Sequence, residues 1–201
     1  MRVRGPGAWT VGVAMLAATA MLTTSCTGGD DSSTGPTTST GATITLTQPS
    51  KPLKVDIAQQ RSGVKKKDFG RIKRQIAKPI AAWIGGGFLD PTYPASDFGD
   101  AFTAWTTGAG VLAQRDRDTT TNAELGPKLI AIVADRQTAK LYVFAHRGHT
   151  GGATARVKLR FTGEMADQSL VHFAVQGDLY LTRKGARWQI FGYRLSRQEV
   201  A

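Results

Sequence analysis

The hydrophobic period of this 201-residue chain changes at Gly126-Pro127, and that change limits the folds open to it. Ahead of it, Phe69, Ile72, Ile76, Ile80, Trp83 and Ile84 follow i, i+3/i+4 spacing, the pattern of a helix with one buried face. Beyond it, apolar and polar residues alternate. Val157, Leu159 and Phe161 stand opposite Arg156, Lys158 and Arg160, and Val171, Phe173, Val175, Leu179 and Leu181 stand opposite His172, Gln176, Asp178 and Tyr180. Helices first and strands afterwards argue an α+β class. N-terminal helices then pack on one face of a curved antiparallel sheet of about four to six strands.

Local signals divide this plan further. Leu53–Ala58 alternates as a short edge strand, and Arg61–Lys67 is a basic loop. Pro79 should kink the first helix or end it early, and Gly85-Gly86-Gly87 should terminate it. Ser96 or Asp97 can cap a second helix, from about Phe98 to Leu112. Thr121 and Glu124 have capping-box spacing for a short third one. Two short strands follow, Leu129–Ala134 and Ala139–Ala145, then a Gly-rich turn at Arg147–Gly152. Lys184-Gly185 turns the chain between the last two strands, which form a long hairpin.

The part that can fold is residues 51–201. Residues 27–50 are rich in Thr, Ser and Gly and hold no aromatic residue, so they cannot bury a core and read as a flexible linker. Ahead of the linker, Arg2 and Arg4 precede an apolar run from Ala8 to Leu22, too short for a membrane span of roughly 20 residues. Thr23-Thr24-Ser25 then lead to Cys26, the only cysteine, so an internal disulfide is excluded. Leu22–Cys26 resembles the signal of a bacterial lipoprotein, although Thr23 stands where a branched apolar residue is usual. The resemblance implies cleavage of residues 1–25, acylation of Cys26, and a membrane-anchored protein on the extracytoplasmic face of the cell membrane.

Charge bears on partners. Arg2 and Arg4 are balanced by Asp30 and Asp31, so the domain from Lys51 onward carries the full +11 of the chain. A basic domain attracts anionic headgroups and envelope polymers without specificity. No helix-turn-helix, zinc finger or ribonucleoprotein motif occurs, so nucleic acid is not an expected partner. The basic stretch from Lys65 to Lys78 reads as a solvated helix face, an aid to contact with anionic lipid, or a dock for an acidic partner.

The helix-then-meander order closes with Gly185-Ala-Arg-Trp188-Gln-Ile-Phe-Gly192-Tyr193. Over about Lys65–Arg197 the chain resembles the nuclear transport factor 2-like superfamily, whose members often end in a strand of this form. The resemblance implies a cone whose open end, between helices and sheet, is an apolar pocket, and a sheet face that often forms a homodimer. Three adjacent cations at Arg156, Lys158 and Arg160 would oppose such a dimer unless acidic residues interleave.

Enzymes of this superfamily place an Asp or His and a Tyr in the cone. Here Tyr93, Asp97, Asp100 and His172 are the candidates, and Trp83, Tyr93, Asp97, Phe102 and Trp105 are the candidate pocket. Each has a plainer account. Asp97 and Asp100 suit a helix start, the aromatics suit a core, and His172 belongs to the face pointing away from the cone. His146 and His149 stand in a Gly-rich turn with no carboxylate or thiol nearby, so no metal site is expected. Phosphate-loop, dinucleotide and Gly-x-Ser-x-Gly motifs are absent, so no cofactor and no catalytic residue is assigned. The sequence thus points to a non-catalytic domain binding a ligand or envelope partner. A small isomerase- or cyclase-like cone enzyme with an Asp/Tyr acid–base site is the alternative, and a scaffold in an envelope complex is a third.

Overall fold

The computed structural model describes residues 46, 48–58, 64–146 and 149–200, with the side chain of His146 excepted. The leader, Cys26 and almost all of the linker lie outside the described residues.

Two layers pack against each other. One is a five-stranded sheet in the order β1-β2-β3-β4-β5, made of Lys54–Ile57, Leu129–His146, His149–Met165, Leu170–Lys184 and Arg187–Glu199. The other holds α1 (Phe69–Ile84), α2 (Thr107–Arg115) and the four-residue α3 (Arg117–Thr120). The class is α+β, with helices ahead of a strand meander, as the sequence predicts. Strands β2 to β5 are antiparallel neighbours, but β1 lies parallel to β2, pairing Lys54–Ile57 with Thr138–Leu141. The chain reaches β2 only after the helices, a crossover long enough to return it in the same direction.

Several local expectations differ from the structure; the third helix, for one, ends at Thr120 instead of beginning at Thr121. Pro79 neither ends nor shortens α1, because its ring lies among buried Ile76, Ile80 and Trp83, whose packing offsets one lost hydrogen bond. Gly85-Gly86-Gly87 does not stop the chain but continues it as a π-helical turn, Gly85–Leu89. Gly86 is required there: a Cβ would meet Ala101 N at 2.6 Å and Asp100 C at 2.7 Å. The second helix starts later than predicted, with a 3-10 turn at Gly99–Phe102 before α2. Its buried face is Ala109, Gly110 and Ala113, and Leu112 is exposed. Residues 129–146 form one long strand, whose register shifts between Ala134 and Arg136. Asp135 is the extra residue of that bulge, and it had made one strand look like two.

Aromatic residues fill the interior. Phe88 stacks on Phe161 at 4.9 Å between centroids, Phe161 on Phe173 at 5.1 Å, and Trp83 meets Phe88 edge-on at 5.8 Å. All four side chains are fully or almost fully buried. Trp83 Nε1 donates to Thr120 O at 2.8 Å, which pins α1 to α3 and satisfies the buried indole. Phe161 is the middle ring of the stack and touches both layers. Phe161→Ala should therefore cost about 3–5 kcal/mol of unfolding free energy. A urea titration measures this, and a loss below about 1 kcal/mol would contradict the packing described.

Candidate functional site

The candidate pocket residues do not converge. Trp83 and Trp105 are core residues, 0% and 4% exposed, so neither presents its ring to a ligand at the surface. Phe102 is half-buried against Trp105 at 6.0 Å. Asp97 is exposed, and its Oδ1 accepts the backbone N–H of Gly99 at 2.9 Å, the bond of a capping carboxylate. Asp97 and Phe102 share one open surface cleft of about 360 Å³ with Arg117, and Asp97 borders a second with Asp90 and Asp100. Tyr93 is not in either. Its hydroxyl donates to Phe88 O at 2.7 Å and accepts from Asn122 Nδ2 at 3.2 Å. Tyr93 and Asp97 therefore border no common cleft, and the Asp/Tyr pair of the cone-enzyme model is not assembled. No group of three or more His, Cys, Asp or Glu gathers among the described residues.

Tyr93 belongs instead to a structural clamp. Arg197, from β5, donates to Asp118 O and Thr121 O through Nη1 at 3.0 and 3.1 Å, and to Asn122 Oδ1 through Nη2 at 3.2 Å. Its guanidinium also lies 4.2 Å from the Phe173 centroid. Burial pushes the Arg197 pKa down, opposed by the charges of Glu124 and Asp118. Burial likewise raises the Tyr93 pKa, and the Asn122 hydrogen bond and Arg197 moderate the rise.

A hydrogen-bonded set of polar side chains lies on the opposite, outer face of the sheet. There β3 and β4 set Thr162 directly across from His172. Thr162 Oγ1 lies 2.8 Å from Asp135 Oδ2 and 2.9 Å from His172 Nδ1. A hydroxyl has one proton, and an ionised carboxylate only accepts. The Thr162 proton therefore goes to Asp135, and His172 Nδ1 must carry the proton shared with Oγ1. That tautomer leaves Nε2 of an exposed imidazole with its lone pair free to accept. Beside this relay Arg136 pairs with Arg160, both exposed, in the next row of the same face. On the other side Glu164 is only 3% exposed and accepts Leu46 N–H at 3.2 Å.

His172 was legible in the sequence as a polar-face residue, which is where the structure puts it. Thr162 and Asp135 were not. The one available signal was an aspartate between two apolar runs of a strand, a residue type that strands disfavour unless a bulge accommodates it.

No family model matches the sequence, and no curated protein does. Among solved structures, the chain is similar to a crystal structure of a hexachlorocyclohexane dehydrochlorinase (LinA) Type2. The identity is 12%, the alignment covers 68% of this chain and 94% of that one, and the TM-score is 0.46. The expectation of a non-catalytic ligand- or partner-binding domain is corrected at this point, because the Asp135–Thr162–His172 chain of hydrogen bonds joins an exposed imidazole to a carboxylate, an acid–base set that expectation did not contain. A likeness this distant supplies neither a substrate nor a site.

The Tyr93 clamp has a pH signature. A phenol whose pKa is higher in the folded than in the unfolded chain holds its proton more tightly when folded. Its contribution to stability is complete below the ordinary value of 10.0 and is lost as pH rises through the folded value. Unfolding free energy should fall above pH 10, and less steeply in Tyr93→Phe. Chemical denaturation across that range measures it, and identical slopes would contradict the assignment.

Proposed function

We propose that the domain is a small acid–base enzyme acting at its outer sheet face, with His172 Nε2 as the base. The observation that carries this is the Asp135–Thr162–His172 chain of hydrogen bonds, which fixes the imidazole tautomer and ends in a carboxylate able to stabilise an imidazolium. The Asp/Tyr version of the enzyme gives way to a His-centred one. The substrate class follows from the neighbours. Arg136 and Arg160 suit a carboxylate on a small carbonyl compound, and the developing enolate would lie against the same cations.

The step balances simply. Nε2 takes a proton from the carbon next to the carbonyl, the C–H electron pair moves toward the carbonyl oxygen as an enolate, and return of the proton restores the carbon. In deuterated water this exchanges hydrogen for deuterium at that carbon. Incubation of the protein with small 2-keto acids, followed by proton NMR, should reveal exchange above the buffer rate. His172→Gln should lower the enzyme-dependent rate by about 10²-fold or more, with Thr162→Val intermediate. Absence of protein-dependent exchange across the series, or full activity in His172→Gln, would sink the reading.

The leader supports a second part of the proposal, that the protein is exported and held on the outer face of the cell membrane by acylated Cys26. A Thr/Ser/Gly linker after the cysteine suits a tether, and several acyl chains on one residue anchor firmly where a single chain does not. Mass spectrometry of the mature N-terminus decides it. The expected product begins at Cys26 and carries acyl mass, and an unmodified Cys26 or a cut elsewhere would refute lipidation.

A further inference from the structure

The outer face is banded along its strands. At the hairpin end Tyr142, Thr154 and Tyr180 align across β2, β3 and β4, with Phe144 one step beyond Tyr142. Phe191, at the β4–β5 bulge, leans on Tyr180 at 6.3 Å. Phe144 and Phe191 are 57% and 52% exposed, large values for rings that a soluble protein gains nothing by presenting to water. They lie about three strand spacings apart, roughly 14 Å.

The next row is charged. Lys140, Arg156, Asp178 and Arg194 align across β2 to β5, and Lys158 follows one row further. Only Asp178 is acidic, and Arg156 takes it up at 3.0 Å. Lys140 and Arg156 both approach the Tyr142 ring, at 6.0 and 5.9 Å, so the cations sit directly beside the aromatic band. The strand bends at Gly177, whose φ is 144°, and an open groove of about 400 Å³ forms there between Arg156, Lys158 and Arg194.

We infer that this end of the sheet face docks on an anionic phospholipid bilayer. Lys140, Arg156, Lys158 and Arg194 would meet headgroup phosphates, while Phe144 and Phe191 enter the headgroup boundary. The pairing of the two bands decides among occupants. A second copy of the face would set these cations against one another. A soluble polyanion would use the cations and leave the two phenylalanines in water. A bilayer surface satisfies both bands, since it offers negative charge and an apolar phase within one side-chain length. Lys158, the docking cation nearest the relay, lies four residues along β3 from Thr162, about 14 Å, so docking leaves His172 open. The inference is independent of the His172 reading. It shares with the proposed anchor only the availability of a membrane.

The test uses the chain carrying Cys26→Ser, so that no acyl group contributes, in cosedimentation with vesicles. The expected result is binding to vesicles of 30% phosphatidylglycerol in phosphatidylcholine and about tenfold weaker binding to phosphatidylcholine alone. Phe144→Ser/Phe191→Ser and Lys140→Gln/Lys158→Gln should each weaken binding to the anionic vesicles about tenfold. Thermal melts matching the parent's keep misfolding out of the comparison, and single substitutions replace any pair that melts early. Equal binding to both vesicle types would overturn the inference, as would parent-like binding by either pair. Loss with the lysine pair alone would mark a surface for soluble polyanions and overturn it too. Failure here leaves the mass of the mature N-terminus untouched, so the two ideas fall separately.

Discussion

The stack of Phe88, Phe161 and Phe173 is the contact on which the two layers depend. Phe88 comes from the π-helical turn after α1, Phe161 from the middle strand and Phe173 from its neighbour, so one column of rings joins three separate parts of the chain. Each ring removes a large apolar area from water, and the offset geometry adds a directional term. The turn that delivers Phe88 can approach only because Gly86 lacks a Cβ next to Ala101. Rings fill the interior, and the Asp135–Thr162–His172 chain of hydrogen bonds lies on the other side of β3 and β4.

Polar bonds complete what the rings begin. Trp83 reaches Thr120 O, and Arg197 reaches two carbonyls and Asn122 Oδ1, so the segment around α3 is held from α1 and from β5 at once. A segment with so little regular structure of its own needs such partners, because its carbonyls would otherwise be buried without donors. Among the described residues the buried indole nitrogens of Trp105 and Trp188 meet no hydrogen-bond partner, a cost of about 1–3 kcal/mol each that the surrounding apolar contacts must outweigh.

The layer architecture was legible because it rests on period. Ile72, Ile76, Ile80 and Trp83 face inward as their spacing requires, and the alternation of β3 and β4 assigns each face correctly. What period cannot convey is contact between distant segments. Pro79 read as an interruption because its cost is local and its compensation is tertiary. The second helix was expected from about Phe98, and its later start at Thr107 puts Ala109 and Ala113 on the buried face. Asp135 and Thr162 meet only through a bulge, and a bulge is a single residue of slippage with no period to reveal it. Trp83 and Trp105, at helical spacing, suggested a pocket and form part of the core.

The parallel placement of β1 has a mechanical consequence. Lys51 N bonds Ala134 O, Ser50 Oγ accepts Ala134 N–H, Gln137 Nε2 reaches Lys51 O, and the ladder from Lys54 to Ile57 follows. A pull on the chain ahead of Ser50 must strain this set of links before it reaches α1 or the aromatic column. The edge strand is thus the first set of bonds that traction from the N-terminal side loads.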